Sequence, residues 1–141
     1  MVVFVESACK HGYDKEDFFE VLESGSLKVR SRRGFEGVYE LLGRNYAGNY
    51  LHVAYRREAG REIVFHIRAM SPREKQKYRR APMKTAKTKK SPPKIRLPRK
   101  VASYAELSDF FDRNDATDLL DRGITEIDPD REDLDRMLLE Y

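Results

Sequence analysis

Residues 61–80, REIVFHIRAMSPREKQKYRR, contain a strand pattern that leads directly into a helix pattern. The first half alternates as a strand does. Its two predicted faces carry Ile63, Phe65, Ile67 and Ala69 on one side and Val64, His66, Arg68 and Met70 on the other. In the second half, Ser71, Pro72 and Glu74 match an N-cap, a first-turn proline and a capping box. The stretch therefore predicts a strand followed at once by a helix.

Positive charge is concentrated where this strand meets this helix. The six cations are Arg68, Arg73, Lys75, Lys77, Arg79 and Arg80, with Tyr78 among them. Such a group suits a phosphodiester better than a small apolar ligand.

The same stretch resembles the C-terminal signature of the BrnT toxins of bacterial type II toxin–antitoxin systems, a branch of the RelE-like ribonuclease fold. In that family a last strand ending in an Arg-Ala type pair precedes a short basic helix with Glu and Tyr. The matching residues are Arg68-Ala69, Glu74 and Tyr78. Two further matches lie upstream in the family's order: Lys10-His11-Gly12 before the apolar run 17–22, and Leu42-Gly43-Arg44 before 51–55. The resemblance covers residues 1–80.

This resemblance implies a metal-independent endoribonuclease, an mRNA interferase that inhibits translation. The 2′-hydroxyl of RNA attacks its own phosphate, so the site needs a proton acceptor, cations and a proton donor. Arg68 is the candidate phosphate clamp because its guanidinium binds in a bidentate way. Glu74 is the candidate base, His66 a candidate acid or base, and Tyr78 a candidate for base stacking or proton relay.

Each of these residues also has a structural interpretation. Arg68 suits an ion pair at a sheet edge, the capping box accounts for Glu74, and Tyr78 and His66 suit packing. The candidate RNA-binding residues are Lys10, His11, Arg44, Arg73 and Arg79.

The remaining patterns predict an α+β fold with an antiparallel sheet and flanking helices, as the RelE-like resemblance implies. Predicted strands are 2–5, 27–31, 37–42, 50–56 and 61–70, with a helix from Asp14 to Glu23. The chain departs from the BrnT pattern at one place. BrnT-type chains usually have a fuller first helix before the His-Gly pair, whereas here only residues 6–9 separate the first strand from Lys10-His11.

Charge divides the chain into unequal parts. Residues 1–100 contain 24 Lys and Arg against 11 Asp and Glu, a charge of +13, and residues 101–141 contain 4 against 13, a charge of −9. Residues 81–100 hold eight cations, four prolines and no acid, which predicts a basic linker. Met83 within it is a possible second start, so the chain is either two joined reading frames or one frame with an ordinary methionine there.

Residues 101–141 predict an acidic, all-helical segment that masks the basic part or only aids solubility. Capped helices are predicted from Ser103, from Asp115 and from Asp128-Pro129. Residues 98–122 resemble the CopG-type antitoxins that accompany BrnT-like toxins, through Pro98, Glu106, Phe110-Phe111 and Asp115-Ala116-Thr117-Asp118. We expect Leu107, Phe110 and Phe111 to mask the toxin part. A ribbon–helix–helix unit looks incomplete after residue 122, so DNA binding is not expected.

Composition excludes several other classes. One cysteine, Cys9, excludes an internal disulfide, and no apolar run approaches the ~18 residues of a membrane span. The residue spacing suggests no metal site and no cofactor, since Cys9 and His11 lack a spaced Cys or His partner. We therefore expect a cytoplasmic protein whose partner is RNA, free mRNA or mRNA on the ribosome.

Three functions remain open at this stage. The first is a toxin ribonuclease at 1–80 masked by its own antitoxin-like segment, in cis or between the chains of a homodimer. The second is an RNA- or ribosome-binding module without activity, and the third is a regulator that acts only through protein contacts.

Overall fold

The stretch at residues 61–80 forms the strand and the helix that its pattern predicts. In a computed structural model, which describes residues 2–32, 37–80 and 103–139, strand β5 is Arg61–Ala69 and helix α2 is Pro72–Arg80. The predicted linker at 81–100, with Met83, lies outside the described residues, as does Tyr141.

The other elements follow the predicted order through the N-terminal part. The strands are β1 Val2–Phe4, β2 Leu27–Ser31, β3 Val38–Arg44, β4 Tyr50–Glu58 and β6 Thr125–Ile127. The helices are α1 Lys15–Glu23, α3 Tyr104–Arg113, α4 Ala116–Asp121 and α5 Glu132–Leu138, with a 3₁₀ helix at Glu6–Cys9. The α+β class is confirmed.

The six strands form one mixed sheet in the order β1-β5-β4-β3-β2-β6. The prediction of an entirely antiparallel sheet is wrong for β1, which pairs parallel to β5. Tight turns fix neighbouring strands of a meander as antiparallel, but β1 and β5 are far apart in the chain and no hairpin sets their direction. Alternation within a strand carries no information on the direction of its neighbour.

The C-terminal segment contributes a strand, so the prediction that it is all helical is wrong. Strand β6 pairs antiparallel with β2, with Arg30 opposite Glu126, and the pairing continues through a bond from the Asp128 amide to the Lys28 carbonyl at 2.9 Å. Three residues are too few for a period-two pattern to appear in the sequence. The unpaired edge of β2 supplies the partner that makes this short strand possible.

Helix α5 begins at Glu132, later than the predicted start at Asp128-Pro129. The two aspartates before it form successive turns instead. Asp128 accepts from the Asp130 amide and Asp130 accepts from the Glu132 amide, both at 3.0 Å. Local side-chain bonds of this kind compete with helix formation.

A β-bulge changes the predicted faces of β5. Ala54 lies opposite His66 and Tyr55 lies opposite Val64, which leaves Phe65 as the extra residue. Val64 therefore packs in the same core as Ile67, whereas Phe65 packs in the other core. Strict alternation had placed Phe65 on the face of Ile67 and Val64 on the other face. That prediction is wrong because a bulge shifts the order of the side chains by one residue.

Helices cover both faces of the sheet. On one, the α1 face, α1 and α5 pack together over a core that includes Phe18, Leu41 and Leu134. On the other, the α3 face, α3 and α4 cover Val38, Ala54 and Phe65. The acidic segment therefore contacts the N-terminal part through both faces and one sheet edge. Within the described ranges, none of the helices is long and apolar enough to cross a membrane.

Candidate functional site

Arg68 and Glu74 form a bidentate ion pair at the end of β5, on the α3 face. Nη1 donates to Oε1 at 2.6 Å and Nη2 donates to Oε2 at 2.7 Å. Arg68 Nε donates to the carbonyl of Phe111 in α3 at 3.1 Å, and Nη1 also donates to the Ala69 carbonyl at 2.9 Å. Each nitrogen of the guanidinium that was predicted to clamp a phosphate is thus already engaged.

The capping box predicted for Glu74 is present, and the carboxylate does more than cap the helix. Ser71 Oγ accepts from the Glu74 amide at 3.1 Å, and Glu74 Oε1 accepts from the Ser71 amide at 2.9 Å. Oε2 accepts from the amide of Ala116, the first residue of α4, at 2.7 Å. The side chain is fully buried. A carboxylate with this many donors is not available as a general base in this arrangement.

His66 is buried on the α3 face, and one of its ring nitrogens has no hydrogen-bond partner among the described residues. Nδ1 lies 2.8 Å from Ser108 Oγ of α3, while Nε2 is the nitrogen without such a partner and lies 3.6 Å from Asp112 Oδ1. Burial lowers the pKa of His66 to about 3, although the charge of Asp112 opposes this shift. The imidazole is therefore neutral near pH 7. In the tautomer in which Nδ1 donates to Ser108 Oγ, the lone pair lies on Nε2.

Lys10 and His11 lie at the outer edge of this site, where both contact α3. Lys10 Nζ lies 2.7 Å from Asp112 Oδ2 and 3.2 Å from Asp109 Oδ1. His11 Nε2 lies 2.9 Å from Asp112 Oδ1, and its ring meets that of His66 edge to face at 5.8 Å. Two predicted RNA-binding residues are thus bound to carboxylates of the acidic segment.

Glu40 and His52, which the sequence did not single out, complete a polar row beneath α3. His52 Nε2 lies 2.8 Å from Glu40 Oε1, and both side chains are buried. Burial raises the pKa of Glu40 to about 8, and burial lowers that of His52 well below its ordinary value. The only sequence signal for this pair is that each polar residue occupies a position in a predicted strand where the alternation would place an apolar residue.

Arg73 joins α2 to α4 at the exposed rim of the site. Its Nη1 lies 2.5 Å from Asp118 Oδ1 and its Nη2 lies 3.6 Å from Asp121 Oδ2. The hydrogen bond that Arg73 donates to Asp118 raises the pKa of Arg73. Nearby, Ser71 Oγ donates to Asp115.

Five aspartates on and between α3 and α4 contact the N-terminal part and share a regular spacing. Asp109, Asp112, Asp115, Asp118 and Asp121 recur every third residue along α3 and α4. Each of them contacts Lys10, His11, Ser71 or Arg73. This spacing is visible in the sequence and marks the contacting face of the segment.

A separate group of side chains surrounds Tyr50. We call it the Tyr50 cluster, and it consists of Tyr50, Tyr78, Arg44, Arg79 and Lys75. The guanidinium carbons of Arg44 and Arg79 lie 5.0 and 5.1 Å from the centre of the Tyr50 ring, and Lys75 Nζ lies 5.8 Å from it. The hydrogen bond from Arg79 lowers the pKa of Tyr50. In the described part of the chain, none of these three cations forms a salt bridge with a carboxylate.

The predicted masking residues are among the most buried of the acidic segment. Leu107, Phe110 and Phe111 are 1%, 2% and 0% exposed and share one apolar cluster with Phe65. The Phe111 ring packs against His52 and His66, with centroids 5.8 and 6.2 Å apart. The segment was also expected to cover Tyr78, but this ring packs on Tyr50 at 6.0 Å, beside Ala116 of α4 rather than α3.

A second buried ionic contact, on the α1 face, holds the end of the acidic segment. Lys28 Nζ lies 2.6 Å from Asp133 Oδ1 and 3.2 Å from Asp128 Oδ2, and Tyr55 donates to Asp133 Oδ2 at 2.6 Å. Burial opposes ionisation of Asp133, but the bonds from Lys28 and Tyr55 outweigh it and lower the pKa. No sequence motif indicated this contact.

Comparisons with protein families, with curated proteins and with solved structures find no match to this chain. The site therefore has to be interpreted from its own residues.

Proposed function

We propose that residues 2–80 form a metal-independent endoribonuclease of the toxin–antitoxin class, and that residues 103–139 hold it inactive. The observation that carries this proposal is the contact of α3 with the site: the Phe111 carbonyl accepts from Arg68 Nε, and Asp112 binds Lys10 and His11. Arg68 also pairs with Glu74 inside the N-terminal part. Because a guanidinium binds carboxylate and phosphate with the same bidentate geometry, a phosphate would take the place of this carboxylate once α3 is released.

In the released state, side chains of the α3 face would supply the groups that metal-independent RNA cleavage needs. Arg68 would bind the scissile phosphate and stabilise the negative charge that develops on it. His66, exposed to water once α3 leaves, would regain a pKa near neutrality and exchange protons with the reacting oxygens. Lys10 and His11 would bind the flanking phosphate.

Masking would act by replacing phosphates with carboxylates. The aspartates spaced every third residue on α3 and α4 contact the same cations that RNA would contact, which are Lys10, His11 and Arg73. Leu107, Phe110 and Phe111 supply the apolar burial that holds these carboxylates in place. The contacts lie within one chain, and exchange between two chains of a dimer would use the same residues.

An RNA-binding module without cleavage is the second candidate, and the Tyr50 cluster favours it. An aromatic ring surrounded by cations suits a single-stranded nucleic acid, by stacking and phosphate contact. This surface is not part of the contact with α3, so it would bind RNA in the masked state as well.

Cleavage of a labelled RNA by the full chain distinguishes these candidates. The full chain is used because a fragment ending at residue 80 would leave Lys28 and Tyr55 buried without Asp133. The double variant Phe110→Ala with Phe111→Ala should release α3 and cleave the RNA. Cleavage should persist in the presence of a metal chelator, because the proposed reaction needs no metal. Circular dichroism checks that this variant stays folded.

Adding Arg68→Ala to that variant should lower the cleavage rate on the order of 10²- to 10³-fold, because a preorganised donor is lost. Unchanged cleavage would remove Arg68 from the mechanism. RNA binding without any cleavage by the folded double variant would favour the module without activity.

A further inference from the structure

Two histidines of the N-terminal part and one aspartate of α3 converge at the edge of the α3 face. One ligand atom from each of His11, His66 and Asp112 lies within 4.8 Å of the other two. His11 Nε2 and His66 Nε2 lie 2.9 and 3.6 Å from Asp112 Oδ1. Nitrogen and oxygen ligands about 2.0–2.2 Å from a tetrahedral zinc ion lie roughly 3.3–3.6 Å apart. The three groups therefore need only small movements to share one cation.

The unpartnered nitrogen of His66 is the second observation that indicates a ligand. Nε2 is buried without a hydrogen-bond partner in the described residues, although native structures satisfy most buried polar atoms. It faces Asp112 and His11. A cation between them would satisfy this nitrogen.

The surroundings of the three groups match those of metal ligands. A metal-bound histidine usually engages its second ring nitrogen with an outer hydrogen-bond partner, and Ser108 Oγ lies 2.8 Å from His66 Nδ1. A bound carboxylate is usually hydrogen-bonded as well, and Lys10 holds Oδ2 of Asp112 at 2.7 Å, which leaves Oδ1 for the ion. Asp109, 3.2 Å from Lys10, offsets the charge of the lysine.

We propose that His11, His66 and Asp112 form a binding site for a zinc-class divalent cation that ties α3 to the sheet. Two imidazoles and one carboxylate leave a fourth position for water and favour zinc over magnesium, which prefers oxygen ligands. His11 and His66 belong to the N-terminal part and Asp112 to the acidic segment. An ion bound by all three therefore stabilises the docked arrangement of α3 and opposes its release.

Zinc binding by the full chain tests this site without any measurement of RNA cleavage. Competition against a chromophoric zinc chelator gives the affinity, and thermal unfolding gives the effect on stability. All proteins carry Cys9→Ser, because this exposed thiol lies two residues from His11 and could bind zinc by itself. We expect one zinc ion per chain, a higher melting temperature with zinc, and no such shift with magnesium.

Asp112→Asn and Asp109→Asn form a matched pair of variants. Both remove a carboxylate partner of Lys10 on α3, but only Asp112 is a proposed ligand. Asp112→Asn should abolish the zinc-dependent rise in melting temperature, whereas Asp109→Asn should retain it. Ser108→Ala, which removes the outer partner of His66, should weaken zinc binding about 10- to 100-fold.

Three results would overturn the site. They are absence of zinc binding by the full chain, unchanged binding in both His11→Gln and Asp112→Asn, and equal loss in Asp112→Asn and Asp109→Asn. If Asp112→Asn fails to fold, the visible spectrum of the cobalt-loaded parent decides, because tetrahedral nitrogen–oxygen coordination absorbs strongly there and octahedral surface binding does not. Failure of the ribonuclease proposal would leave these outcomes unchanged.

Discussion

Arg68 and Glu74 lie six residues apart in the chain and form two parallel hydrogen bonds of 2.6 and 2.7 Å. The pair joins the last strand of the N-terminal part to its basic helix. It also meets two helices of the acidic segment, α3 through the Phe111 carbonyl and α4 through the Ala116 amide. Arg68 and Glu74, two of the residues predicted to act on RNA, are thus contacted by the acidic segment.

Replacing Glu74 with Gln tests how far this pair stabilises the fold. Glutamine still serves the capping box, but it leaves the buried Arg68, whose side chain is 12% exposed, without its counter-charge. Breaking a buried pair by removing one charge costs about 3–5 kcal/mol. We expect a loss near the lower end of that range in denaturant unfolding, because glutamine keeps part of the hydrogen bonding.

Ser71→Ala is the control, because it removes the side-chain cap and the bond to Asp115 but keeps the Arg68–Glu74 ion pair. It should cost about 1 kcal/mol. Equal losses in the two variants would mean that Glu74 acts only as a cap.

Neutralising the rim of the contact should matter less than removing its aromatic residues. Asp118→Asn with Asp121→Asn deletes the partners of Arg73, whose side chain is 56% exposed. Exposed pairs contribute about 0–1 kcal/mol each, so unfolding should change little and α3 should stay docked. Phe110→Ala with Phe111→Ala should expose the α3 face to limited proteolysis. Equal proteolysis of the two variants would contradict the idea that apolar burial holds the segment.

RNA binding by the full chain should depend on the Tyr50 cluster. Tyr50→Ala removes the ring, and base stacking on such a ring is worth about 1–3 kcal/mol per base. Arg79→Ala removes a cation that has no carboxylate partner among the described residues. It should lower the slope of the logarithm of affinity against the logarithm of salt concentration by about one. Arg73→Ala is the control, since Asp118 already pairs with that cation. The measurement is RNA affinity over a series of salt concentrations. A larger effect of Arg73→Ala than of Arg79→Ala would contradict RNA binding at the Tyr50 cluster.

Stability should fall as the pH rises through the range set by Glu40. Its pKa is raised from 4.5 to about 8 by burial, so the folded protein holds this proton where the unfolded chain has released it. When the folded state binds more protons, the free energy of unfolding decreases with rising pH. The effect should extend from about pH 4.5 to about pH 8.

Glu40→Gln should flatten this dependence, as measured by urea unfolding at pH 5 and pH 8. His52 and His66 contribute in the opposite sense below pH 6.5, because their pKa values are lowered, and both are present in parent and variant. The difference between parent and variant therefore isolates Glu40. Parallel pH profiles would show that Glu40 is ionised in the folded state.

The end of the acidic segment should be held by Asp133. Among the described residues, Asp133→Asn leaves Lys28, 1% exposed, with Asp128 as its one remaining charged partner. The loss should be on the order of 3 kcal/mol, since a buried cation loses most of its compensation. Asp135→Asn, at an exposed position of the same helix, should change the unfolding free energy by less than about 0.5 kcal/mol. A similar loss in both variants would point to helix propensity instead.

Local patterns in the sequence determined the elements of the N-terminal part. The capping box at Ser71 and Glu74, the cap at Asp14 and the strands of the meander all depend on neighbours within four residues or on a two-residue period. The same information predicted that Leu107, Phe110 and Phe111 need a surface to pack against, because three apolar residues on one helix cannot form a core alone.

Only the tertiary structure decided which distant groups meet. The bulge at Phe65, the parallel pairing of β1, the strand β6 and the buried contacts of Glu40 and Asp133 depend on partners far along the chain. The meeting of His11 and His66 with Asp112 also belongs here, since 101 residues separate His11 from the aspartate. Local patterns record the preferences of a segment for helix, strand or burial. The identity of a contact partner depends on packing over the whole chain, which no local period encodes.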